Sequence, residues 1–122
     1  MKTHFNKEEF MVMALVYAAY IDNDLNSNEV KELLNKTQEQ TLLNVGNRLD
    51  KMSHQDIIDC FNEANKTYAS SESERSQLIK DMRSMIEADD RIYIIEVRLC
   101  DAVERLLLHD IKIPGKINGL FG

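Results

Sequence analysis

Two stretches of the chain, Asp22-Asn-Asp-Leu-Asn-Ser-Asn-Glu29-Val30 and Asp89-Asp-Arg-Ile-Tyr-Ile-Ile-Glu96-Val97, carry one pattern at an offset of 67 residues: an acid, two spacers, an aliphatic, three spacers, Glu, Val. The correspondence extends upstream, where Leu15, Ala18, Ala19 and Asp22 share the phase of Met82, Met85, Ile86 and Asp89. Spacings of three and four residues place such positions on one helix face. The chain therefore reads as an internal duplication, each copy a helix, a short acidic loop and a second helix.

Composition agrees with helices throughout. Four glycines and one proline in 122 residues leave too little punctuation for the many turns of a β fold. A chain of this length suits one domain, burying roughly two-thirds of the surface its unfolded form exposes. The expectation is an all-α, compact single-domain bundle of six to seven helices over residues 1–112, followed by a C-terminal tail, 113–122. The formal charge is −6, with acidic residues spread along the chain. That disfavours nucleic acid, whose phosphate backbone calls for clustered Lys and Arg.

Cys60 and Cys100 lack the spacing of zinc or redox motifs and are too few for a disulfide framework, so they read as buried thiols in a reducing compartment. Phe10 to Ile21 is an unbroken run of twelve apolar residues, shorter than the roughly 20 a membrane span needs and suited to a core helix. It does not read as a secretory signal either, because Glu8 and Glu9 occupy the place of a cationic leader segment. A cytoplasmic protein with no transmembrane segment is expected.

Asn6-Lys-Glu-Glu9 has the form of a capping box, which starts the first helix near residue 6 and carries it to Ile21. Apolar all round, this helix belongs at the centre. Asn26-Ser-Asn-Glu29 repeats the capping logic, and Val30, Leu33 and Leu34 face inward from the second helix. Thr37-Gln-Glu-Gln40 resembles a fresh cap, opening a third helix with Leu42, Leu43, Val45 and Leu49; whether it is separate from the second stays open. Ser53-His-Gln-Asp56 opens a fourth, with Ile57, Ile58, Phe61, Ala64 and Tyr68 at helical spacing. Ser71-Glu-Ser-Glu74 opens a fifth bearing Leu78, Met82, Met85 and Ile86. The sixth has Ile92, Ile95, Leu99, Val103 and Leu106 on one stripe, widened by Ile94, Val97 and Leu108. Pro114 and Gly115 end regular structure, and the tail beyond them either docks through Ile117, Leu120 and Phe121 or is disordered.

Asp22, Asp24 and Asn26 occupy the first, third and fifth positions of a calcium EF-hand loop, but the sixth is Ser27 instead of Gly and the twelfth is Leu33 instead of a bidentate Glu. The second loop is further away, with Arg91 in its third position. Neither is an EF-hand. The shorter repeated pattern instead resembles that of the tellurite-resistance TerB family, whose helical domain carries two motifs Asp-Gly-x-aliphatic-x-x-x-Glu at helix-loop-helix junctions. The resemblance covers roughly residues 6–111, with Asp22, Leu25 and Glu29 matching one motif and Asp89, Ile92 and Glu96 the other. The family's Gly is replaced by Asn23 and Asp90, the two non-glycine types most tolerant of left-handed backbone.

This resemblance implies a non-enzymatic binding or adaptor domain in bacterial stress-response assemblies near the inner face of the membrane, acting through protein partners. Divalent cation binding by the acidic motifs, carried over residue by residue, rests on Asp22, Glu29, Asp89 and Glu96, with Asp24 and Asp90 adding oxygens in their own loops. An all-oxygen inventory favours Ca2+ or Mg2+ over zinc. Duplicated units packed about a pseudo-dyad can bring two loops together at one shared acidic site.

Two other readings stand beside this one. An Asp closing one helix and a Glu in the first turn of the next commonly only cap them, which leaves a purely structural interaction module. Against that, the second copy keeps Glu96 although Tyr93, a poor cap, stands where Asn26 does. A carboxylate-metal hydrolase is the other alternative, but the second motif has no histidine, lysine or serine in or directly beside it as base or nucleophile, and Ser27 and Lys31 of the first have no counterpart there. His4, His54 and His109 are too scattered to form a catalytic or metal set.

Overall fold

The computed structural model describes residues 4–22, 27–86, 93–108 and 113, with the backbone alone for residues 27, 29 and 93–97. It contains six helices in the order α1 (Lys7–Ile21), α2 (Ser27–Thr37), α3 (Glu39–Asp50), α4 (His54–Tyr68), α5 (Glu72–Ile86) and α6 (Tyr93–Leu108). Among the described residues there is no strand, and no helix is long and apolar enough to cross a membrane.

Local chemistry sets several of the helix starts. The Asn6 side-chain carbonyl accepts the Glu9 amide at 2.7 Å while the Glu9 carboxylate accepts the Asn6 amide at 3.0 Å, a complete capping box. Ser53 Oγ accepts the Asp56 amide at 3.2 Å and opens α4, and Ser71 Oγ accepts the Glu74 amide at 3.1 Å ahead of α5. The cap expected at Thr37 is not formed. Thr37 is the last residue of α2, and its hydroxyl donates back to the Leu33 carbonyl at 3.0 Å, the alternative that a threonine within a helix takes. α2 and α3 are two helices meeting at Gln38, whose backbone (φ −139°, ψ 41°) breaks the helical path.

α1 is the axis of the fold and packs against each of the other five helices. Every side chain from Glu9 to Ala19 is buried, so between exposed Lys7 and Glu8 at its start and Tyr20 in its last turn no face of this helix is left for solvent. The bend at Gln38 lets two short helices turn their apolar stripes to the same core: Val30, Leu33 and Leu34 from α2, then Leu42, Val45 and Leu49 from α3. On α4, Phe61 sits between two aromatic residues of α1, with ring centroids 5.1 Å from Phe10 and 5.8 Å from Tyr17. Such offset and edge-on pairs add about 0.5–1.5 kcal/mol each beyond their area. The remaining core comes from Leu78, Met82 and Ile86 of α5 and from Leu99, Val103 and Leu106 of α6.

One inward expectation, Leu108, fails, and of the adjacent leucines of α3 only one turns inward. Leu43 is 46% exposed and Leu108 is 45% exposed. Leu43 follows Leu42 directly, and adjacent helical residues point about 100° apart, so only one of them can face α1. Leu108 is the last residue of α6. Ile113, the first residue of the expected tail, is buried in the core; residues 114–122 lie outside the described residues. Both thiols are buried, Cys60 on α4 and Cys100 on α6.

Candidate functional site

Asp22 is the C-cap of α1. Its amide still donates to the Ala18 carbonyl at 3.0 Å, while its extended backbone (φ −85°, ψ 113°) turns the chain out of the helix. Its side chain is half-buried. Glu29 is the third residue of α2 and Glu96 the fourth of α6, so each falls in the first turn of the helix after its loop, where a carboxylate lies near the positive end of the helix dipole. The side chains of Glu29 and Glu96 lie outside the described residues, as do Asp24, Asp89 and Asp90 entirely. Among the described residues no group of three or more His, Cys, Asp or Glu side chains is gathered closely enough to hold a metal ion.

The helix pairs that carry the two motifs pack crosswise. α1 contacts α2 and α5 contacts α6, as sequence neighbours do; in addition α1 contacts α6 and α2 contacts α5. Exchanging α1 with α5 and α2 with α6 leaves this set of contacts unchanged.

A second polar cluster, absent from the sequence reading, lies at the start of α1. Glu9 is only 7% exposed, the one charged residue in the described core. Arg48 of α3 answers it, with Nη1 donating to both carboxylate oxygens at 2.7 and 2.6 Å. The same guanidinium donates through Nη2 to the His4 carbonyl at 2.6 Å and lies 5.0 Å from the centroid of the Phe5 ring, within cation–π range. Tyr68 donates its hydroxyl to the Phe5 carbonyl at 3.2 Å, and the His4 imidazole stands 3.5 Å from the Glu63 carboxylate. Beside this segment is a depression of about 200 Å³, lined by His4, Phe5, Cys60, Glu63, Ala64, Thr67 and Tyr68. One signal in the sequence pointed here: Glu9 leads directly into a helix with no polar face, so its carboxylate requires a cation from elsewhere in the fold.

Two further titrating groups are perturbed. Burial pushes the Tyr17 phenol well above its usual range. The hydrogen bond from Lys7, at 2.7 Å, and a second from Gln77 hold the Asp81 carboxyl below its usual value. Neither group adjoins the acidic loops in sequence.

The chain matches no protein-family model, no curated protein and no solved structure.

Proposed function

We propose that the chain is a TerB-like, non-enzymatic binding domain, an adaptor or ion-responsive module of a bacterial stress-response assembly. It works in the cytoplasm, and any association with the inner face of the membrane is through protein partners. Its two acidic loops take a divalent cation, Ca2+ or Mg2+, through carboxylates drawn from Asp22, Asp24 and Glu29 in one copy and from Asp89, Asp90 and Glu96 in the other.

The observation that supports this reading is the set of contacts among the helices that carry the repeated motifs. Residues that correspond at an offset of 67 belong to helix pairs α1–α2 and α5–α6, and the contacts between these pairs are unchanged when the pairs are exchanged. Two equivalent helix-loop-helix units packed about an approximate two-fold axis would give such a set, which supports the duplication read from the sequence. Hard cations take carboxylate, carbonyl and water oxygens, the chemistry both loops supply in sequence. The non-enzymatic reading rests on the two motifs sharing no base or nucleophile: Ser27 and Lys31 accompany the first, and no histidine, lysine or serine lies in or directly beside the second.

The test is a heteronuclear NMR titration of chelator-treated protein with Ca2+ and then Mg2+. Amide shifts concentrated in residues 22–29 and 89–96, and abolished in that copy by Asp22→Asn or Asp89→Asn, support the proposal. No shifts at millimolar ion, or shifts confined to other acidic residues, overturn it.

A further inference from the structure

We propose that His4 and Phe5, just ahead of the Asn6 cap, form a latch, held by Arg48 and Tyr68, that opens as a unit while the six helices stay folded and that shields the Cys60 thiol when closed.

The segment has no secondary structure of its own, yet Phe5 is buried in the core. Its restraints converge on few groups. Arg48 grips the His4 carbonyl and the Phe5 ring, Tyr68 grips the Phe5 carbonyl, and Glu9 accepts the Asn6 amide while fixing Arg48. Two residues fixed mainly by two side chains from other helices are a small cooperative unit, and their opening ahead of Asn6 leaves intact the capping box and the helical hydrogen bonds that hold the rest. His4 and Phe5 line the same depression as Cys60, so displacing them bares that thiol. Cys100 lies on α6 and does not line this depression, which makes it an internal control for opening of the whole fold.

The latch is tested by maleimide labelling of the native full chain, with the modified cysteine identified by peptide mass. The variant Glu9→Gln/Arg48→Met removes both charges together, so no carboxylate is stranded, and Gln at this position still accepts the Asn6 amide in the capping box. Tyr68→Phe keeps the ring in place and removes only the hydroxyl, so it remains informative should the double variant fail to fold. With the buried Cys60 thiol unreactive in the closed state and closing fast relative to labelling, the labelling rate follows the population of the open form. Cys60 is expected to react about tenfold faster or more in the double variant and about fivefold faster in Tyr68→Phe, with Cys100 unchanged and helical circular dichroism retained. A Cys60 rate equal to wild type in a folded variant overturns the latch, as does a rise shared equally by Cys100.

Discussion

Arg48 closes on Glu9 through a single guanidinium nitrogen that meets both carboxylate oxygens, joining the first turn of α1 to the last turn of α3 across 39 residues of sequence. The carboxylate is buried and the guanidinium partly so. Breaking such a pair from one side leaves an uncompensated charge, and Arg48→Met is therefore expected to cost about 3–5 kcal/mol in urea unfolding. Glu9→Gln/Arg48→Met should recover most of that loss. Equal destabilisation in the single and double variants would show that the ion pair is not what holds this corner.

Leu42 and Leu43 offer an adjacent contrast on α3. Leu42 is fully buried, and Leu42→Ala is expected to destabilise by about 2–5 kcal/mol. Leu43→Lys, on the exposed side, should stay within about 0.5 kcal/mol of wild type. Thermal or chemical unfolding of both variants checks the rotational setting of α3, and reversed effects would mean that its other face is inward.

Tyr17 predicts a loss of stability in alkali. Its folded phenol titrates above the usual value, so the stabilising effect of burying the neutral form is complete below about pH 10. Above that the unfolded chain loses the proton first, and stability falls towards the raised folded value. Tyr17→Phe should flatten this alkaline decline, measured as urea midpoint against pH. An unchanged slope would place the ionisation at another tyrosine.

Asp81 behaves in the opposite sense. Held low by Lys7 and then Gln77, its ionised form contributes in neutral solution, and the contribution disappears as pH falls below about 4 through the folded value. Solvent reaches this pair, so Asp81→Asn should cost no more than about 1 kcal/mol at neutral pH, less at high salt and nothing in acid.

Helix starts governed by side chains three residues apart were legible in the sequence, because Asn6 with Glu9, Ser53 with Asp56 and Ser71 with Glu74 carry their partners locally. The centrality of α1 was legible too, since a helix with no polar face has nowhere else to go. The exposure of Leu43 was not legible, because two adjacent leucines in sequence do not say which of them the neighbouring helix covers. Thr37 fits either a cap or a back-bonded helix end, and packing on both sides of Gln38 chose the second. The Glu9–Arg48 pair was half legible: the charge in an apolar context demanded a partner, but nothing local singled out Arg48 from the other cations. Of the candidate ligands, the structure places the Asp22 side chain at its junction and the Glu29 and Glu96 backbones in first turns; the loops between lie outside the described residues.

The central claim is that the repeated carboxylates bind a hard cation, and the thermal midpoint of chelator-stripped protein in rising Ca2+ or Mg2+ tests it most directly. Selective binding to the folded state stabilises by about 2.7 kcal/mol at a hundredfold excess over the dissociation constant. The account predicts a midpoint that climbs with ion concentration in wild type and stays flat in Asp22→Asn/Asp89→Asn. A wild-type midpoint unmoved at millimolar ion would contradict it.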